Sequence, residues 1–213
     1  MERLRRISKE VLTVAVLALV LFSARSSLAD HYVVPTSSME YTLMPGDRVL
    51  VNKLAYGLRV PFVGWRLIAG GTPVAGEIVV FDSPESGKRL IKRVVAVGGD
   101  IVQIRKGQLI VNGTPYALAN DPSIENIGDH RAELNLSSGS GSRYGPSEIP
   151  AGRVLVLADD PGNSHDGGVF GSVPASDIQG RAIPVFLPRG ARVTWRALVP
   201  ALTRTVPPVR PPR

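Results

Sequence analysis

Arg89-Leu90-Ile91-Lys92-Arg93-Val94-Val95-Ala96 is the stretch on which the reading of this chain turns. Its β-branched residues, with no glycine or proline among them, predict a strand over Arg89 to Val97. Side chains alternate in face along a strand, so Lys92 is placed with Leu90, Val94 and Ala96, while Arg89 and Arg93 share the other face. Lys92 is thereby expected to point inward. Burial disfavours an ammonium and lowers its pKa, and an amine that is neutral near pH 7 can serve as a general base. From the strand alone, an exposed edge lysine that deters aggregation fits equally well.

Working outward, the chain reads mostly as short β segments punctuated by glycine and proline, with no convincing soluble amphipathic helix. The expected strands are Asp47 to Lys53, Glu77 to Asp82, Arg89 to Val97, Ile101 to Arg105, Gln108 to Val111, Arg153 to Ala158 and Ile178 to Leu187. Lys106-Gly107 reads as a tight connection joining two of them into a hairpin. Many short strands around one core predict a mostly β fold, a partly closed, barrel-like sheet, over residues 30–199. Residues 118–150 are polar, with Ser137 to Ser142 rich in glycine and serine, and are expected to form an insertion with a mobile portion. The proline-rich tail, 200–213, is expected to be disordered.

A chain of 213 residues has room for one fair-sized domain with appendages. It has no cysteine, which removes disulfides and thiolate metal sites, and its three histidines leave little from which to build a zinc site. No metal or other cofactor is expected. The net charge of +7 is compatible with nucleic acid, but it is dispersed and no recognition motif accompanies it, so nucleic acid is not expected as a partner. Nothing in the sequence bears on oligomeric state.

Arg3, Arg5, Arg6 and Lys9, within the basic segment 1–10, precede Val11 to Ala24, whose only polar members are Thr13 and Ser23. Extended to Ala29, with Arg25 snorkelling to the headgroups, the segment approaches the roughly 20 residues that cross a bilayer. A single membrane-spanning anchor is expected over 11–29, with the basic N-terminus cytoplasmic and the body outside the cell membrane. Ser27-Leu28-Ala29 before Asp30 also has the small-x-small look of a secretory cleavage site.

Two further segments have the makings of chemistry. Ser38 lies in Pro35-Thr36-Ser37-Ser38-Met39, nine residues beyond Ala29, where an uncut anchor would hold it at the membrane surface. A serine hydroxyl needs a neighbouring base to attack at neutral pH. Thr36, two residues earlier, can set its hydroxyl near the Ser38 N–H, where an oxyanion would develop. Asp159 to Gly168, after the apolar strand Val154 to Ala158, reads as a tight loop. Its spacing does not match a calcium-binding EF-hand, and adjacent His165 and Asp166 diverge on an extended chain, against a Ser-His-Asp triad.

All three segments occur in the order found in the type I signal peptidases, the membrane-anchored enzymes that remove signal peptides from exported proteins. Pro35-Thr36-Ser37-Ser38-Met39 with Thr42-Leu43 and Gly46-Asp47 resembles the nucleophile box P-S-G-S-M-x-P-T-L-x-x-G-D. Gly76 to Phe81 and Lys92 to Asp100 resemble the G-D-I-V-V-F and K-R-V-x-x-x-x-G-D boxes. Asn163-Ser164-His165-Asp166 with Gly171 and Val173, then Gly180-Arg181-Ala182, is similar to N-S-x-D-S-R-x-x-G-x-V and the G-R-A after it. The resemblance implies the family's mostly β peptidase fold and a Ser38–Lys92 dyad. It further implies an oxyanion hole from Thr36 and the Ser38 N–H, Ser164 orienting the lysine amine, and Asp166 in support. The implied substrates are secretory preproteins with small residues before the cleaved bond.

Departures from the pattern are Ser37 for glycine, Glu40-Tyr41 for x-Pro, Asp160-Pro161-Gly162 for N-R-x and Gly167-Gly168 for Ser-Arg. They leave Asp166 without its sequence-local arginine. They also fit a relative that processes a narrow client set, as in conjugative transfer systems. A membrane-tethered β domain that binds exported chains without cutting them is the non-enzymatic alternative. A self-cleaving repressor of the SOS type shares the Ser-Lys chemistry but would need a DNA-binding domain. The mass of the membrane-bound protein is expected to include residues 1–29, and their loss would contradict the anchor.

Overall fold

A computed structural model describes residues 29–59, 66–105, 107–163 and 166–185. Apart from Ala29, the expected anchor lies outside the described residues, as do Ser164 and the tail. Among the described residues no helix is long and apolar enough to cross a membrane.

Among the described residues sixteen strands follow in order: β1 (Ala29–Val33), β2 (Arg48–Asn52), β3 (Gly57–Arg59), β4 (Arg66–Ala69), β5 (Ile78–Asp82), β6 (Arg89–Val97), β7 (Ile101–Arg105), β8 (Gln108–Val111), β9 (Thr114–Pro115), β10 (Ala117–Leu118), β11 (Asp121–Ile127), β12 (His130–Glu133), β13 (Tyr144–Glu148), β14 (Arg153–Leu157), β15 (Val173–Pro174) and β16 (Gly180–Val185). Seven form one antiparallel sheet in the order β1-β2-β16-β5-β6-β14-β15, curled but not closed, with β1 and β15 at its edges. A second sheet, β13-β7-β8-β9, and a third, β10-β11-β12, cover one end of it. The fold is therefore mostly β, and the sequence-predicted strands fall on β2, β5, β6, β7, β8, β14 and β16. Register in the β7–β8 hairpin runs to Arg105↔Gln108, which puts its turn where the sequence predicts a tight connection, although Lys106 itself lies outside the described residues.

Residues 118–150 hold β11, β12 and β13, which the sequence reading did not list as strands. β13 is Tyr-Gly-Pro-Ser-Glu, whose glycine and proline argue against a strand until β7 is seen beside it. β11 puts Glu125 and Ile127 inward, so its inward positions are not uniformly apolar.

β6 is an interior strand of the main sheet, between β5 and β14. Ile91 packs toward Val34, Met39, Leu43, Ile78 and Val80. Leu90 and Val94 lie in a second cluster with Val79, Phe81, Val154 and Val156. The expected phase of this strand requires one correction. Val156 pairs with Val94 while the preceding Leu155 pairs with Ala96, so Val95 is an extra, bulged residue. Beyond it the alternation slips by one, and Ala96 joins Val95 in the third cluster, with Val102, Leu109 and Ile127, rather than staying with Leu90 and Val94. Both faces of β6 are thus covered, and Lys92 and Arg93 are 2% and 1% exposed.

Arg93 is paired as fully as it is buried. Its Nε donates to Asp159 Oδ1 at 2.9 Å and its Nη2 to Asp159 Oδ2 at 2.6 Å, while Nη1 donates to the Gly76 carbonyl at 3.0 Å. Nη2 also reaches Thr42 Oγ1 at 2.9 Å, and that hydroxyl donates to Asp159 Oδ2 at 2.5 Å. Gly76 has φ +94, and a Cβ there would lie 2.6 Å from the Ile127 carbonyl, so glycine is required for this approach. One side chain therefore joins β6, the end of β14, the approach to β5 and the loop between β1 and β2. Removing either partner strands a buried charge. Arg93→Met and Asp159→Ala should each lower unfolding free energy by about 3–5 kcal/mol, with an apolar double replacement costing less than either, as read by urea denaturation.

Candidate active site

Ser38 and Thr36 lie on the loop between β1 and β2. The neck of this loop is closed by two backbone hydrogen bonds, Val34 N–H to the Asp47 carbonyl and Gly46 N–H to the Val34 carbonyl, each 2.8 Å. Met39 and Leu43, 1% and 0% exposed, plug it into the cluster under β5. Thr36, exposed, and Ser38, half-buried, come just before these buried anchors. Both border a cleft of about 610 Å³ whose lining includes Val34, Met39, Val80 and Ile91 at one end and Asp82, Lys88 and Arg89 at the other.

The cleft lies between two strand edges. β1 is one of the two edge strands of the main sheet, and the Arg89-to-Ile91 part of β6 pairs with β5 on one side but lies beyond the reach of β14 on the other. Such edges present backbone donors and acceptors to an incoming extended chain.

Lys92 is directly opposite Val79 on β5. Burial pulls its amine down to about 8, against the upward pull of Asp166, Asp159 and Asp160. At a pKa of 8 about one amine in ten is neutral at pH 7, whereas at 10.5 it would be roughly one in three thousand. Asp160 touches both halves of the expected dyad's surroundings: its carboxylate acts on Lys92, and its N–H donates to the Ser38 carbonyl at 3.1 Å. Asn163 Nδ2 adds a 3.1 Å bond to Ser37 Oγ, and Asn135 Nδ2 one of the same length to Glu40 Oε2.

Asp166 is 6% exposed and opens the single helical turn Gly167–Phe170. One carboxylate oxygen accepts from the Ala158 N–H at 2.9 Å and the other from the Gly168 N–H at 3.0 Å. The backbone of Gly168 thus serves the aspartate at the position where the family box has arginine. Gly167 also suits its place, since a Cβ there would meet the Val156 carbonyl at 2.6 Å. The structure brings Thr36 and Ser38 to one end of the cleft and sets Lys92 and Asp166 in one electrostatic neighbourhood. Ser164 falls outside the described residues.

Sequence reasoning gave no role to Thr42, Arg93, Asp159 or Glu125. A charged residue inside an apolar strand signals a buried partner, but it does not say which one. Glu125, also buried, is raised to about 7 by burial and by the neighbouring Asp159. Among the described residues no group of three or more His, Cys, Asp or Glu side chains is placed to hold a metal.

The chain is similar in sequence to known proteins of one family. The family described as "Signal peptidase, peptidase S26" matches residues 6–187. A signal peptidase I of Pseudomonas fluorescens is 31% identical over 188 residues, covering 76% of this chain and 66% of that protein, just under two thirds of its length. Two Synechocystis relatives are equally similar, each 31% identical. The probable signal peptidase I-2 is covered over 72% of its length by 85% of this chain, and the probable signal peptidase I-1 over 91% by 92%. A solved signal peptidase I from Enterococcus faecalis superposes with a TM-score of 0.36 at 23% identity, over 52% of this chain and 97% of that one, too loosely to add to the strand register. The chain belongs to the signal peptidase family, peptidase S26. By that membership it is a serine endopeptidase.

Because Asp166 holds the Lys92 pKa up, Asp166→Asn should move it below 8. Titrating the reactivity of this lysine toward an amine-modifying reagent is expected to show an earlier midpoint than in wild type. An unchanged midpoint would remove Asp166 from the electrostatics of the site.

Proposed function

We propose that this protein removes N-terminal signal peptides from exported preproteins, with Ser38 as nucleophile and neutral Lys92 as general base. The observation that carries this reading is a lysine on a central strand, almost fully buried and lowered to about 8, beside the segment that bonds the Ser38 loop. An ordinary exposed lysine has neither property.

The substrate lies extended in the cleft, its backbone adding to the strand edges and small apolar side chains resting on Val34, Met39, Val80 and Ile91. Lys92 Nζ takes the proton of Ser38 Oγ as that oxygen attacks the scissile carbonyl. The oxyanion accepts from the Ser38 N–H and the Thr36 hydroxyl. When the tetrahedral intermediate collapses, the C–N bond breaks and Lys92 returns the proton to the leaving amine. Water then attacks the acyl ester, giving its proton to Lys92, and the signal peptide leaves as a carboxylic acid while Ser38 is regenerated. Ser164 orients the lysine amine, and Asp166 supports the loop and the field around it.

Residues 11–29 anchor the enzyme in the cell membrane by a single pass, with residues 1–10 cytoplasmic and the peptidase domain, 30–199, on the outer side. Residues 118–150 form an insertion with a mobile portion. The bilayer is then a partner, holding the cleft where exported chains emerge. The departures around Glu40-Tyr41 and Gly167-Gly168 keep a narrower client set as the second reading.

Ser38→Ala and Lys92→Ala should each reduce precursor cleavage by at least a thousandfold while the protein remains folded. Wild-type kcat/KM should rise tenfold per pH unit below about pH 8 and level off above it, since the active form is the unprotonated amine. The same linkage makes the fold gain stability as pH rises from about 8 toward 10.5, where the unfolded chain holds the proton that the native lysine has lost. Near-normal cleavage of a generic precursor by either variant would end the dyad reading.

A further inference from the structure

The end of the cleft away from Ser38 is built differently from the apolar end. Arg89, at the start of β6, reaches across to β1: its guanidinium carbon sits 5.6 Å from the centroid of the Tyr32 ring, and Nη1 donates to Tyr32 Oη at 2.8 Å. The bracket is held from both sides. Arg89 Nε donates to Asp82 Oδ1 at 3.2 Å, and Gln179 Nε2 occupies Asp82 Oδ2 at 2.6 Å. On the β1 side Tyr32 Oη donates to Asp30 Oδ2 at 3.1 Å, and Lys53 Nζ pairs with the same oxygen at 2.7 Å. Tyr32, Asp82, Lys88 and Arg89 all border the cleft.

We infer that this bracket is a specificity element, which selects an acidic or other acceptor side chain on the substrate and disfavours a basic one. The inference rests on the peptidase reading above and adds to it a preference at one substrate position. A guanidinium has five N–H donors, and the bonds to Asp82 and Tyr32 use only Nε and one hydrogen of Nη1 among the described residues. Asp82 and Tyr32 hold the guanidinium in place, so little side-chain entropy is lost when a substrate carboxylate binds it. Lys88 adds a second positive charge on the same rim.

The position can be located approximately. Tyr32 precedes Thr36 by four residues, about 13 Å of extended chain. A peptide alongside covers that length with the same number of residues, so the side chain meeting the bracket stands three to five residues before the scissile bond. The apolar floor between, Val34, Met39, Val80 and Ile91, takes the small side chains nearer the cut.

The test uses the full-length enzyme in detergent micelles and peptides built on an all-alanine reference around the cleavage site, with Glu, Gln or Lys placed singly at each of the five residues before the scissile bond. Wild type should favour Glu over Lys about tenfold in kcat/KM at one position, with Gln between, and the ratio should shrink in high salt. In Arg89→Gln the ratio should approach one, and in Tyr32→Phe, which keeps the ring but loses the hydroxyl pin, it should fall part way. Ratios are taken within each protein, so a general loss of activity cancels. Equal cutting of Glu and Lys peptides at every position, or an unchanged ratio in Arg89→Gln, would overturn the inference alone. Failure of wild type to cut the reference peptide would overturn the peptidase reading and this one with it.

Discussion

The buried pair between Arg93 and Asp159 is the contact on which the rest of the site depends. Two charges this deep lose several kcal/mol each in hydration, and they are tolerable only because the pair is bidentate and the remaining donors are met by Gly76 and Thr42. That requirement is geometric. The end of β14, the approach to β5 and the β1–β2 loop must all arrive at one guanidinium, and each delivers something to the site. Asp159 brings Asp160 beside the Ser38 carbonyl, and Thr42 fixes the loop that bears Ser38. Arg93 itself holds the register of the strand carrying Lys92.

Lys92 is governed by the opposite balance. Arg93 meets a carboxylate at hydrogen-bonding distance and stays charged, whereas for Lys92 the cost of burial outweighs the pull of three carboxylates, so its pKa falls. The two adjacent residues point to opposite faces of β6, which is why one strand can carry a permanently charged structural cation and a titratable amine side by side. More carboxylate near Lys92 would restore an inactive ammonium. Less would deepen the shift and weaken the amine as a base. Asp166 sits within this balance, its own charge spread over the N–H groups of Ala158 and Gly168.

Much of the β framework could be read from local pattern because those strands are apolar runs bounded by glycine and aspartate, as in β5, β6 and β14. β11 and β13 could not. Their pairing partners, rather than their own composition, make them strands, and Pro146 in β13 is tolerable beside β7 only as an irregularity in the register. The slip at Val95 was equally hidden, since a bulge is a property of two strands together and no residue type in Val94-Val95-Ala96 marks it.

By itself the sequence determined that this is a β-rich chain with an inward lysine, a serine loop and an acidic loop arranged in the order of a known peptidase family. Period-two alternation and the motif boxes are both local, so they survive in a linear string. Only the tertiary structure decided that Arg93 rather than a nearer group answers Asp159, that Gly168 supplies an N–H where an arginine stands in the family, and that Arg89 closes the cleft against Tyr32. Each of these joins side chains or backbone groups from separate loops and strands, and such a pairing exists only once the sheet has curled.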